Sequence, residues 1–450
     1  TTESTIESTI ESTTTANCGD SCLTQSWISS SNAMAFWSFD TSLNDNINNY
    51  NPISSLNRPT LSTGYIRQSA LFDASAQQSI FTSFIPLTST SFTVETWIKP
   101  TGFPNEKDHS IVGLCSVQDP NYCLHITIRY EKLYFGFYYN DVEGQTTIIA
   151  DQWIHGAFVY DSTEKTQRIY LNGVLDGEAS VSSDLLATTG NFTIGINEVM
   201  ESTTSFFQGY IDELLITQRV KSSCEVLERA TLAARFEFDS SSPYTDSGPN
   251  AAPTTNSASS IIIGRVNEAI SFTGSSTSYF QTWGFTSFGI RNQPFSIAFF
   301  IKPTTLSGTL VHLSASPTGE DSTCFSLLGF NSNGAIVAQV LTDVGEIVSA
   351  IGPVLPTSSS WIPIVQTWSA ANGLRLYVNG TLVSSTGAEA FLTSETTPNY
   401  LTLGNCLDGC ETCASGSIDR AGSYAGAIDD WRIYSRELTS SDVCTLKNNV

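Results

Sequence analysis

The chain has 450 residues, 20 basic against 43 acidic, for a net charge of −23, and only 14% of its residues are charged. Such a field repels polyanions, which rules out nucleic acid as a partner. No apolar run reaches the roughly 18 residues of a membrane span, and no signal peptide opens the chain, whose first residue, Thr1, implies a leader already removed. Abundant Ser and Thr with 11% aromatic residues favour pleated, half-buried strands, so an all-β chain of two sandwich domains of about 200 residues each is expected.

Residues 1–24 form an N-terminal segment. Its first 15 positions are three copies of Glu-Ser-Thr joined by Ile6 and Ile10, with ten Ser or Thr. So little apolar surface fits a disordered, O-glycosylated stalk. In an extended strand, however, Ile6 and Ile10 share one face and could dock on the open sheet edge of a neighbouring copy. Self-assembly through this segment, into fibrils, is one expectation, and a tail folded over its own domain is the other.

The first domain is read as residues 25–228. Its signatures run in order from Trp37-Ser38-Phe39-Asp40 and Ala70-Leu71-Phe72-Asp73 to the alternating strand Phe92–Pro100, which a proline ends. The aromatic run Leu133–Tyr139 follows, with Tyr134 and Tyr138 on one face and Phe135 and Phe137 on the other. Gln152-Trp153-Ile154 then leads to Tyr170-Leu171-Asn172-Gly173, where Asn-Gly closes a hairpin in a type I′ turn because both residues tolerate positive φ. Gly209-Tyr210-Ile211-Asp212-Glu213 closes the half.

The second domain, residues 229–450, repeats that order at a separation drifting from about 199 to about 220 residues. Phe236-Glu237-Phe238-Asp239, Ala269-Ile270-Ser271-Phe272, Phe295–Pro303, Ser360-Trp361-Ile362, Tyr377-Val378-Asn379-Gly380 and Gly426-Ala427-Ile428-Asp429-Asp430 stand at matching points. This succession resembles the laminin-G-like jelly rolls of the concanavalin A-like superfamily, and the second half carries the closing motif almost entire as Ile428–Leu438. The first half degrades it, with Leu215 and Thr217 where the second has Arg432 and Tyr434. The resemblance implies two tandem antiparallel β-sandwich jelly rolls behind an extended N-terminal segment. It also implies a calcium ion near the first and last strands of each domain, with oxygen ligands from Asp40, Asp45 and Asp212 in one half and Asp239, Asp246 and Asp429 in the other. The alternative reading makes Asp212 and Asp429 structural, as caps and loop hydrogen bonders.

Ten cysteines, at Cys18, Cys22, Cys115, Cys123, Cys224, Cys324, Cys406, Cys410, Cys413 and Cys444, are an even count that reads as disulfides of an extracellular protein. Five precede residue 230 and five follow it, so one bridge crosses between the halves or two thiols stay free. Cys115–Cys123 and Cys22–Cys224 are the expected pairs within the first half. Cys406, Cys410 and Cys413 imitate a metal knuckle in spacing, but no His neighbours them in sequence. Asn191 and Asn379 open glycosylation sequons, the second on a hairpin turn.

Chemistry is sparse. Glucanases of the superfamily carry Glu-x-Asp-x-x-Glu on one strand, and no such run exists here. Glu106-Lys107-Asp108 has only its first spacing, and His109, His125, His155 and His312 lack triad partners in sequence. The chain is therefore expected to be non-catalytic: a structural or adhesive protein with copies of itself as partners, or a calcium-dependent lectin whose partners are glycans. Tyr134 and Tyr138 would form a sugar platform unless their strand simply fills the core.

Overall fold

The structure is a computed structural model, described here for residues 18–24, 32–53, 57–103, 108–197, 205–357, 360–388, 391, 399–414, 416–419 and 422–448. Ile6 and Ile10, on which the expected docking strand rests, lie outside the described residues.

Four sheets pair into two sandwiches, and every strand pair is antiparallel. In the first half an eight-stranded sheet runs from Val174–Ser180 through Thr166–Leu171, Ile154–Asp161, Phe92–Pro100, Gly209–Thr217 and Gln68–Phe72 to Thr60–Thr63, with Ala33–Trp37 also on Gly209–Thr217. It packs on a six-stranded sheet centred on His109–Cys115 and Cys123–Arg129. The second half repeats the larger sheet strand for strand, with Phe295–Pro303 and Ala425–Tyr434 at its centre, opposite a seven-stranded sheet. The strands alternate because alternate side chains fill the space between sheets. Val94, Phe158 and Ile211 enter the first core, and Ile297, Ile364 and Ile428 the second.

The repeated polar motifs mark places where the backbone departs from a regular strand. Phe39 and Phe238 both take positive φ, 56° and 60°, while their rings stay buried. Each closing strand carries a bulge, with Glu213 at φ 51° and Asp430 at φ 48°. The preceding aspartates bond backbone N–H groups across the sheet: Tyr65 N–H donates to Asp212 at 2.9 Å and Arg265 N–H to Asp429 at 2.7 Å. The Ile-Asp-acid signature is thus a clamp on the tight turns 64–67 and 264–267.

A helix follows each closing strand and covers the outer face of the larger sheet. Ser222 and Glu225 form a capping box at the start of helix Ser223–Thr231, and Val226 packs on Ala157, Val159 and Tyr170. The boundary expected between residues 228 and 229 falls inside this helix. Val443 and Leu446 of helix Ser440–Asn448 pack likewise on Ala298, Val365 and Tyr377. Both Asn-Gly hairpins tuck beneath these helices, because a Cβ at Gly173 would lie 2.8 Å from Leu227 and one at Gly380 2.7 Å from Lys447.

All ten cysteines are paired: Cys18–Cys444, Cys22–Cys224, Cys115–Cys123, Cys324–Cys413 and Cys406–Cys410. The bridge that crosses between the halves is Cys18–Cys444. Cys18–Thr24 therefore straps both covering helices, one at Cys224 and the other at Cys444, and Ser21 donates to Asp442 at 2.7 Å. Five disulfides point to an oxidising compartment.

The halves also interlock directly. Tyr65, Ile66 and Trp97 of the first half belong to the hydrophobic core of the second. Thr286 donates to the Tyr65 carbonyl at 2.9 Å, and Gly284, at φ 103°, leaves the room Ile66 needs, since a Cβ there would stand 3.2 Å from it.

Candidate functional site: an aromatic cleft between the halves

Where the outer face of the first large sheet meets the second half, a cleft of about 610 Å³ stays open. Its floor is set by register. Tyr210 pairs with Lys99 across the sheet, and Trp153 directly precedes the strand whose Ile154 pairs with Ile98. The Trp153 ring centroid lies 6.0 Å from Tyr210 and 6.2 Å from Tyr65. The Lys99 ammonium sits 4.4 Å from the Tyr210 ring centre and 5.7 Å from that of Trp153, a cation–π arrangement. Among the described residues no carboxylate forms an ion pair with it. Ser62–Gly64, Asp151 and Asn172 form one rim, and residues 286–293 of the second half the other. Arg291 on that rim is paired with Asp343. The cleft thus offers half-exposed aromatic faces, one unpaired cation and a border of hydroxyl and amide groups, the composition that holds a polar, ring-shaped ligand.

Beneath the adjoining helix the same sheet face carries a buried charge cluster. Lys221 bonds Glu95, and Arg229 reaches Glu95 at 4.0 Å and Glu213 at 3.6 Å. Burial alone would raise the Glu95 carboxyl, but Lys221 and Arg229 bring it below its ordinary range. Glu213, where burial outweighs Arg229, is pushed up to about 8. In the second half Arg432 pairs with Asp430 at 2.6 Å. Leu215 cannot do this in the first, so the helix supplies Arg229 instead. The cluster is sealed and reads as structural.

The six aspartates expected as calcium ligands are engaged by backbone donors. Asp45 accepts four N–H groups, from Phe36, Ile47, Asn49 and Tyr50. Asp246 accepts three, from Arg235, Gly248 and Ala252. Asp212 and Asp429 hold the tight turns, Asp40 pairs with Arg67 at 2.7 Å, and Asp239 accepts from Asn267 and Glu268. Burial lifts Asp429 to about 6 and Asp212 well above its usual range. Among the described residues the only trio of metal-type donors within 4.8 Å is His312, Cys324 and Cys413, and its two cysteines are joined in a disulfide. Among the described residues the six aspartates are held by protein donors and do not gather into a group of three ligand atoms.

The aromatic run divides as its alternation predicts, but it ends early. Phe135 and Phe137 are in the core, whereas Tyr134 stands on the outer face beneath Arg129 and donates to Asp141 at 2.9 Å. The strand stops at Gly136, and Tyr138 turns away with φ 68°, so the two tyrosines do not form a platform. His155 is buried against Trp97 and pushed down to about 3 by burial; His312 is held near 4 for the same reason. His125 lies 3.4 Å from Asp141, and Asp108 is engaged by Arg129. Asn379 is exposed on its hairpin turn and Asn191 half-buried. Sequence reasoning placed Lys99, Trp153 and Tyr210 inside structural signatures and missed them as a site.

The family model of the concanavalin A-like lectin/glucanases superfamily, laminin G type, matches residues 73–227 and 272–444. No curated protein matches the chain by sequence. Among solved structures, domain 4 of a GH43 extracellular arabinanase from Geobacillus stearothermophilus, in complex with arabinotriose, is similar at 22% identity, covering 43% of this chain and 96% of its own, with a TM-score of 0.36. Mouse laminin alpha1 domains LG4-5 cover 86% and 96% at 14% identity and a TM-score of 0.28. The binding domain of paraclostridial mosquitocidal protein 1 covers 79% and 92% at 10% identity and a TM-score of 0.41. At such identities and scores these likenesses say nothing of ligand or reaction.

Proposed function

Since the chain belongs to the concanavalin A-like lectin/glucanases superfamily, with laminin G-type matches over both halves, we propose that it is an extracellular, non-catalytic glycan-binding protein that takes its ligand in the cleft between the halves. The observation that carries this reading is the floor of Trp153, Tyr210 and Lys99 in an open groove of about 610 Å³. An aromatic face covers the apolar side of a sugar ring, while Lys99, Ser62 and Asn172 offer polar partners to its hydroxyls. Binding is calcium-independent in this reading, which the saturation of Asp45 and Asp246 by backbone donors supports. A non-catalytic role agrees with the burial of His155 and His312 and the engagement of Asp108 by Arg129. Asn191 and Asn379 would carry the protein's own glycans. Adhesion through bound glycans is the role such a site serves.

The test is a glycan array run with and without a chelator, using the intact protein and Trp153→Ala. Binding that survives chelation and is lost in the variant supports the reading. Binding that needs calcium, or that Trp153→Ala leaves unchanged, refutes it.

A further inference from the structure

The sheet face that carries the cleft in the first half is covered by the second half, whereas on the matching face of the second half Ile262, Ile263 and Val266 are exposed. The two faces are built alike. Gly64-Tyr65-Ile66-Arg67 and Gly264-Arg265-Val266-Asn267 form the same turn, each closed by an N–H to carbonyl bond of 3.0 Å and each clamped by its closing-strand aspartate. Tyr65 stacks on Trp97 at 3.5 Å, and at the matching positions Arg265 lies over Phe300 at 4.0 Å. Lys302 sits 5.9 Å from the Trp361 ring, as Lys99 sits beside Trp153.

What differs is the cover. Ile66 is 1% exposed beneath the second half, but its counterpart Val266 is 42% exposed, with Ile262 at 36% and Ile263 at 85% beside it. At those two neighbouring places the covered half has Ser62 and Thr63. At these two places the exposed face is more apolar than the buried one, and with Val266 they make a contiguous exposed apolar cluster.

We propose that the first half of a second copy covers this face, repeating between chains, head to tail, the contact the two halves make within one chain. The elements that cover the first half include Asn250, whose carbonyl accepts from Arg67, and Gly284 against Ile66. Their counterparts are Asn49, whose side-chain amide donates to the Met34 carbonyl as that of Asn250 donates to Ala233, and Phe84, and Ile53, in the same stretch, is 62% exposed. The pair between chains that matches Ile66 and Gly284 would be Val266 and Phe84, the latter half-buried against its own core. Such a contact is heterologous, so each copy keeps one free face and chains of copies grow. Without the covalent strap that raises the effective concentration within one chain, assembly depends on protein concentration. The arriving half would also wall Lys302 and Trp361 as residues 286–293 wall the first cleft.

The experiment is sedimentation velocity over a concentration series on the full chain and two variants. One blocks the exposed face (Ile263→Lys with Val266→Asp) and the other blocks the opposite end (Ile53→Asp). All three positions are exposed, so the variants should melt as the unmodified protein does. The intact protein is expected to pass beyond dimers as concentration rises, each variant alone to stay monomeric, and an equimolar mixture of the two to stop at a one-to-one dimer. A monomer at every concentration, a closed symmetric dimer, assembly that survives both variants, or a mixture no larger than its components would each overturn the proposal. The intact protein's behaviour decides the question even if a variant fails to fold.

Discussion

Ile66→Ala tests whether the two halves are one cooperative unit. Ile66 is 1% exposed and stands in the core of the other half against Gly284. Truncating a buried isoleucine costs the transfer free energy of the lost carbons plus the cavity they leave, about 3 kcal/mol here. For units of this size each kcal/mol shifts the melting temperature by about 2–4 °C, so a fall of about 6–12 °C is expected. The assay is differential scanning calorimetry at dilutions where the protein is monomeric. The lost contact belongs to the interface, so the single transition expected of the intact protein should separate into two. Val266→Ala is the matched control: that side chain is 42% exposed, and its truncation should stay within about 0.5 kcal/mol. If both substitutions shift the transition equally, or if Ile66→Ala leaves one transition within about 2 °C of the original, the interlock does not hold the halves together.

Trp153→Ala should lower glycan affinity at least about tenfold, the equivalent of about 1.4 kcal/mol, as read by titration calorimetry, with a modest fall in melting temperature because its half-buried ring packs on Tyr65 and Tyr210. Chelation should leave the melting temperature unchanged, because Asp45 and Asp246 are already held by backbone donors; a fall on adding chelator would restore a metal to the first and last strands. Glu213 has a folded value of about 8 against an ordinary 4.5. The folded state therefore keeps a proton that the unfolded chain has lost, so this group's contribution is fully present below about pH 4.5 and is lost as pH rises to about 8. Glu213→Gln should flatten that decline, raising the melting temperature at pH 8–9 and not at pH 4. Replacing Cys18 and Cys444 by serine removes a constraint spanning 426 residues. It should cost several kcal/mol, toward the upper end of about 2–5, seen as a lower midpoint in denaturant.

Local chemistry was legible where a residue type has few conformations open to it. Asn172-Gly173 and Asn379-Gly380 announced tight hairpins because their φ values must be positive. The strand Phe92–Pro100 announced itself by alternation, and Cys115 with Cys123 by closeness along the chain. The acids of the closing strands were visible as well, but two physical roles remained open to them. Asp45 and Asp246 are settled by backbone N–H groups that no spacing rule displays, since these come from a folded loop and an adjacent strand. The failed platform has a similar cause. Alternation put Tyr134 and Tyr138 on one face only while the strand continued, and the backbone turns at Gly136.

The cleft depended wholly on tertiary structure. Lys99, Trp153 and Tyr210 lie on three separate segments and meet because sheet register sets Tyr210 across from Lys99. Their opposite rim comes from residues 286–293, brought there by Ile66 docking beside Gly284. From sequence alone the repeat determined two similar sandwiches and an odd cysteine in each half, which required a crossing bridge or free thiols. Only the folded chain could choose Cys18–Cys444 and decide which matching face is covered and which is exposed. Those choices rest on long-range packing, where burial energy depends on neighbours far away in sequence.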